Sequence, residues 1–132
     1  MANVIFYEKP GCINNTKQKN LLLDAGHDLQ VHNLLTTPWT VERLRQFFGT
    51  RPIQDWFNPT APRIKSGEII PSQLDEETAL NLMIADPLLI RRPLIQVNDV
   101  CRVGFDLQQI DSWIGLKLQD SVTKDLETCP RS

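Results

Sequence analysis

Cys12 stands between an apolar run, Val4-Ile5-Phe6-Tyr7, and a stretch of helical character that begins near Asn14. A cysteine at the start of a helix is placed for nucleophilic or redox chemistry. Unpaired backbone N–H groups and the positive end of the helix dipole there favour a thiolate. Lys9 and Lys17 add positive charge nearby in sequence, and Pro10-Gly11 allows a tight turn that carries backbone amides toward the sulfur. The competing reading is a small buried apolar side chain. Asn15 occupies the position where a Cys-x-x-Cys pair would put its second thiol, so redox chemistry at Cys12 begins as a one-thiol mechanism. Cys101, beside Val100 and Val103, reads as a buried and inert strand residue. Cys129 lies in a polar C-terminal stretch as an exposed thiol, which a flexible tail could bring to Cys12 as a resolving partner. Three cysteines at this wide spacing fit neither a disulfide framework nor a four-ligand zinc site. His27 and His32 lack the neighbouring ligands of a metal centre, so none is expected. Glycine-rich phosphate loops, paired catalytic carboxylates and a Ser-His-Asp arrangement are missing from the local spacing.

The elements that must position Cys12 follow from hydrophobic pattern and breakers. Val4 to Tyr7 suit a strand buried on both faces, ended by Pro10-Gly11. The helix from about Asn14 carries Leu21, Leu22 and Ala25 on one side, with Gly26 past its end in the left-handed position. Leu29 and Val31 alternate with Gln30 and His32, as in a second strand, and the handedness rule makes the two strands parallel and adjacent. Thr40 caps a helix bearing Val41, Leu44, Phe47 and Phe48, ended by Gly49. Trp56-Phe57 forms a short segment, residues 60–71 read as loop, and Ser72 with Asp75 resembles a capping box. Asp86-Pro87 interrupts the helix that follows. Leu94 to Val97 and Val100 to Val103 flank Asn98-Asp99 as a hairpin. Asp106 and Gln109 open a last helix with Leu107, Ile110, Ile114 and Leu118 on its core face. The fold class is therefore α/β, a four-stranded mixed sheet built as βαβ then ββα, with a helical insert at about residues 38–90. One domain over residues 1–118 and a flexible polar tail over 119–132 are expected.

With 132 residues, 14 Lys and Arg against 16 Asp and Glu, and a formal charge of -2, the chain has no domain-wide basic field. That counts against direct nucleic-acid binding. Trp39, Trp56 and Trp113 are not interleaved with a basic stripe and read as core or half-buried anchors. No apolar run is long enough to span a bilayer and no signal-peptide pattern opens the chain, so a cytoplasmic protein is expected.

Two segments carry a resemblance. Tyr7-Glu8-Lys9-Pro10-Gly11-Cys12 and Ile90-Arg91-Arg92-Pro93 resemble the two signatures of the arsenate-reductase-like thioredoxin-fold family, which includes the Spx regulators. The stretch Phe6 to Thr16, with Asn33-Leu34-Leu35 and Trp56-Phe57-Asn58, is similar to the nitrogenase-associated branch of that family. The likeness covers about residues 3–116 and implies a thioredoxin-like fold. It implies Cys12 as the catalytic nucleophile and Arg92 and Arg102 on a bound oxyanion. Asn58 stands where the reductases have a third arginine, Glu8 where they have a histidine near the cysteine, and Asn14 and Asn15 where their loop has serine and threonine. The expected anion-binding set is Arg92, Arg102, Asn15, Lys9 and Asn58. Asn58 offers no charged fork, and a Glu8 carboxylate turned inward would oppose a thiolate. These departures count against arsenate as substrate and leave the fold inference intact. The resemblance also implies a cis Arg92–Pro93 bond beside Cys12, against the alternative of a trans proline opening an edge strand. Alternation in extended chain assigns Arg92 to the pocket and Arg91 to solvent.

Two functions follow as expectations. One is a thiol oxidoreductase, nitrogenase-associated and arsenate-reductase-like, in which Cys12 attacks an oxyanion or a disulfide. It would bind no cofactor, and glutathione or glutaredoxin would be the electron donor. The other is a non-catalytic, Spx-like binding or regulatory module with a protein partner in nitrogen fixation, contacted through Trp56-Phe57, Arg63 and Lys65 of the insert. No membrane partner is expected.

Overall fold

Strand β1 (Asn3–Glu8) is apolar at consecutive positions because both of its faces are covered. The computed structural model describes residues 2–116. Leu118, Cys129 and the tail expected over 119–132 lie outside the described residues. The sheet has the order β2-β1-β3-β4, with β2 (Asp28–Asn33), β3 (Leu94–Val97) and β4 (Val100–Val103). β1 pairs in parallel with β2 and antiparallel with β3, and β3 pairs antiparallel with β4. This is the mixed sheet expected, with parallel neighbours where the helical crossover returns the chain.

Period-two alternation splits the core in two. Val4, Phe6, Ile95 and Val97 face helices α1 (Ile13–Asp24) and α5 (Leu107–Ile114), where Leu22 and Ile110 meet them. Tyr7, Leu94 and Val103 face the insert, with Trp39, Leu44, Phe47, Phe48 and Trp56 on the other side of the contact. His27 ties both sides of the described chain together. Its Nδ1 accepts from the Ala2 N–H at 3.0 Å and its Nε2 lies 2.7 Å from the Gly115 carbonyl.

The caps mostly stand where the sequence puts them. Asp106 accepts from the Gln109 N–H at 3.1 Å and opens α5. Thr40 accepts from the Arg43 N–H at 3.2 Å and opens α2 (Val41–Arg45), which ends sooner than expected. Phe47 and Phe48 continue as tight i→i+3 turns and are still fully buried. The residue 60–71 stretch contains a short helix, α3 (Pro62–Lys65), rather than loop alone. Ser72 is not the cap of α4 (Glu76–Ala85): Pro71 starts its own 3-10 turn through Gln73, and Asp75 accepts from the Thr78 N–H at 2.7 Å instead. Gly26 adopts φ 88° past α1, as a left-handed helix stop requires.

Candidate functional site

The turn that delivers Cys12 is built from its sequence. The Cys12 N–H donates to the Lys9 carbonyl at 3.2 Å, closing a four-residue turn. Pro10 takes its second position and Gly11 its third, with φ 83°. That is a type II turn, in which proline pre-sets the first corner and glycine takes the positive φ of the next. Cys12 then becomes the N-cap of the 12-residue α1, and its side chain makes no capping hydrogen bond. The first turn of α1 carries no acidic residue, so no carboxylate there competes with a thiolate for the helix N-terminus.

Asn15 holds this turn in place. It is fully buried, its Oδ1 accepts from the Lys9 N–H at 3.1 Å, and its Nδ2 donates to Gln18 Oε1 at 2.8 Å. The Oδ1 and one Nδ2 N–H are thus committed within the protein, and through them Asn15 positions the cysteine loop. Lys9 is half-buried and supplies both of its backbone groups to the same turn. Glu8 projects toward α1, where its carboxylate pairs with Lys19 at 2.6 Å. The opposition expected from Glu8 is therefore met by a lysine that the sequence analysis did not single out. Asn14, Asn15, Gln18 and Leu22 form the buried face of α1, so its first half buries amides and not the apolar stripe.

Arg92 lies at the same end of the sheet. Tyr7 is paired with Leu94, so the segment entering β3 runs beside the segment leaving β1 toward Cys12. The Arg92–Pro93 peptide is cis. Arg92 is 2% exposed, and its Nε and Nη2 have no hydrogen-bond partner. A buried guanidinium without partners is costly, and it is the kind of group that a ligand completes. It lines a cleft of about 270 Å³ together with Arg91, Asp55, Phe57, Asn58 and Pro59.

Asn58 reaches this cleft because the insert is stitched to the approach of β3. Phe57 bridges Ile90, the Asn58 N–H donates to the Leu89 carbonyl at 2.8 Å, and the Arg91 N–H donates to the Trp56 carbonyl at 3.0 Å. The Asn58 side chain is turned to its own loop, with Oδ1 accepting from the Thr60 N–H and hydroxyl at 3.1 and 2.7 Å. Arg91, assigned to solvent from alternation, is half-buried and lines the cleft as well. The chain bends at Arg92, and alternation holds only in extended strand. The surrounding Gln54 and Asp55 were also missed, since nothing local marks them.

Arg102 is placed elsewhere. It pairs with Ile95 in the β3–β4 ladder, and cross-strand partners share a face. Its guanidinium lies 4.8 Å over the Trp113 ring of α5, on the side of the sheet covered by α1 and α5. It does not line the Arg92 cleft. Cys101 is half-buried, not fully buried, and Arg43 Nη1 approaches its sulfur at 3.8 Å. Trp56 and Phe57 are interior, with Trp56 stacked on Phe48, and Arg63 is paired with Glu68 and Asp86. Of the insert residues expected to meet a partner, Trp56 and Phe57 are thus turned inward, while Arg63 and Lys65 remain at the surface.

A family model described as the ArsC family matches residues 63–113, a segment that includes Arg92-Pro93 and stops short of Cys12. Over 130 residues the chain is 52% identical to a Rhodospirillum rubrum protein described as an uncharacterized 15.7 kDa protein in the draG 3′ region, covering 98% of this chain and 90% of that one. It is 26% identical over 121 residues to the global transcriptional regulator Spx of Lactiplantibacillus plantarum, covering 88% of this chain and 89% of the relative. Among solved structures, an arsenate reductase from Vibrio cholerae superposes with a TM-score of 0.71 at 26% identity, covering 84% of this chain and 97% of that one.

Proposed function

This chain belongs to the ArsC family, and on that premise we propose that it is a thiol oxidoreductase working through the single cysteine Cys12. The observation that carries the reading is Arg92, buried with two vacant donors at the sheet end from which the Cys12 turn leaves. Cys12 opens α1 as its N-cap and is the attacking group, and the arginine favours negative charge on what it attacks.

With a disulfide substrate, the Cys12 thiolate attacks one sulfur. A Cys12 mixed disulfide forms, the original S–S bond breaks, and the other half leaves as a thiolate that takes a proton from water. A glutathione-type thiol, free or presented by a glutaredoxin, then attacks the mixed disulfide. Cys12 returns as thiolate, and the donor departs joined to the first half. The protein is regenerated without a bound cofactor. The same nucleophile could meet an oxyanion, although Asn58 provides no charged fork for one. The likeness to the nitrogenase-associated branch supports a cytoplasmic role in nitrogen-fixing cells, with a redox partner there.

The test is turnover of bis(hydroxyethyl) disulfide by reduced glutathione. Cys12→Ser should fall to the uncatalysed background and Cys101→Ser should match the parent. Equal rates in all three proteins would remove the reading. One observation favours a second reading: Cys12 is 2% exposed and does not line the Arg92 cleft. A Spx-like binding module would keep its partner in Cys12→Ser and show no turnover in any variant.

A further inference from the structure

The sheet ends at β4, and that edge is open. The two-residue turn at Asn98-Asp99 pairs Val97 with Val100, and the Gly104 N–H donates to the Pro93 carbonyl at 2.9 Å. Val100, Arg102 and Gly104 therefore direct their backbone groups to β3 and its approach, and alternation turns the N–H and C=O of Cys101 and Val103 outward. Those four groups have no partner among the described residues. Residues 100–104 all line a hollow of about 420 Å³, so it lies against the edge of β4 and not over one face. Phe48 and Arg51 line it from the insert, which covers one face of the sheet, and Gln109 and Ile110 line it from α5, which covers the other. Both covering layers thus flank the position that a fifth strand takes. Alternation also sets what such a strand carries. Cys101 and Val103 face the insert and its apolar cluster, whereas Arg102 faces α5. Arg102 lies over Trp113, and neither its guanidinium N–H groups nor those of Arg51 donate to a partner among the described residues. The Asp106 carboxylate in the same lining accepts from the Gln109 N–H of its own helix. The slot is cationic beside Arg102 and apolar beside Val103.

We propose that β4 takes up an extended peptide of a partner protein as a fifth strand, and that the segment it selects has an acidic side chain between two apolar ones. The peptide backbone meets the outward groups of Cys101 and Val103. Its acidic side chain lies beside Arg102 on the α5 face, and its apolar neighbours lie beside Cys101 and Val103 on the insert face. Charge disfavours the same edge of a second copy, because the antiparallel register that uses all four outward groups sets Arg102 opposite Arg102. Cys12 does not line the slot, so the inference stands apart from the thiol reading.

The full chain, isotopically labelled, is titrated with the peptide Ser-Thr-Val-Glu-Val-Thr-Ser, blocked at both ends, at neutral pH and low salt. The Cys101 and Val103 amide proton resonances should move downfield, as new hydrogen bonds require, and saturate near millimolar peptide. The same peptide with Lys in place of Glu should bind about fivefold more weakly, the scale of an exposed charge pair, and that preference should shrink in Arg102→Gln. A peptide N-methylated at its three central residues should leave both resonances in place, because it has lost the donors that face β4. Equal binding of the Glu and Lys peptides overturns the proposal, as does unchanged binding after N-methylation or two resonances that no peptide moves. Movement that follows protein concentration with no peptide added also overturns it, by giving the edge to a second copy.

Discussion

Among the described residues, the surroundings of Cys101 and the sheet end that carries Cys12 and Arg92 are built in opposite ways. At the β4 edge, Arg43 approaches Cys101 with Nη1, donates Nη2 to the Tyr7 hydroxyl at 3.0 Å and to Gln96, and packs over the Phe47 ring at 4.9 Å. Arg102, next in the chain to Cys101, lies on Trp113. A hollow of about 420 Å³ opens there, larger than the Arg92 cleft and lined by Arg51 and Arg102, the latter already laid on Trp113, while Arg43 outside it is engaged by the protein. At the other place, Arg92 is more deeply buried and keeps two donors vacant. Cavity size points to the first place and buried, unsatisfied chemistry to the second. Folding leaves few buried cations without partners unless something else completes them, so the vacant donors of Arg92 mark the second place.

That contrast can be broken by mutation. Arg43→Ala should destabilise the fold by about 2–3 kcal/mol, since it strips partners from Tyr7 and Gln96 and removes two ring contacts. It should leave turnover of bis(hydroxyethyl) disulfide unchanged, and chemical denaturation with that turnover assay checks both halves. Gly11→Ala should cost about 1–2 kcal/mol, because φ 83° is strained for any side chain even though nothing crowds the added carbon. It should also slow Cys12 chemistry, and a drop in stability without that slowing would mean the turn does not place the sulfur. Arg92→Met should be neutral or stabilising by about 1 kcal/mol while lowering turnover, the reverse of Arg43→Ala. A large loss of stability in Arg92→Met would put both arginines in the same structural class.

The smallest effect lies far from either cysteine. The Thr78 hydroxyl, and then the Thr78 N–H, donate to Asp75 and hold its carboxyl below the ordinary 3.8. A depressed carboxyl stabilises above its unfolded value and loses that contribution as the pH falls through the folded one. The small stability difference between the parent and Asp75→Ala should therefore be present at neutral pH and shrink in acid below the ordinary carboxylate range.

Sequence pattern sufficed where local rules governed. The β3–β4 hairpin around Asn98-Asp99, the Asp106–Gln109 cap and the Pro10-Gly11 turn depend on a few adjacent residues, and each stands where the sequence puts it. The site was less legible, because its making is non-local. Arg91 was turned the wrong way since the bend at Arg92 is set by the bridge from Phe57 to Ile90, 33 residues apart in the chain. The resemblance places Arg102 on a bound anion, whereas its pairing with Ile95 decides its face. Asn15 was read as a donor to a ligand, and its turn-holding bonds become visible only when Lys9 and Gln18 are brought against it. The spacing of Asn14, Asn15 and Gln18 on the Leu22 face of α1 was the one available signal, and it was polar where a core face is ordinarily apolar.

The most direct test compares two of the three cysteines, Cys12 and Cys101, in one sample. The folded protein is exposed to a small alkylating reagent in limiting amount, and peptides bearing Cys12 and Cys101 are quantified by mass. Exposure alone ranks half-buried Cys101 first, since Cys12 is 2% exposed. If the helix N-terminus and the Pro10-Gly11 turn activate the sulfur, Cys12 reacts first in the native state, and Gly11→Ala slows it while leaving Cys101 unchanged. Labelling of Cys101 in the native state, with Cys12 reacting only after denaturation, would contradict the account and leave Cys12 as a buried structural side chain.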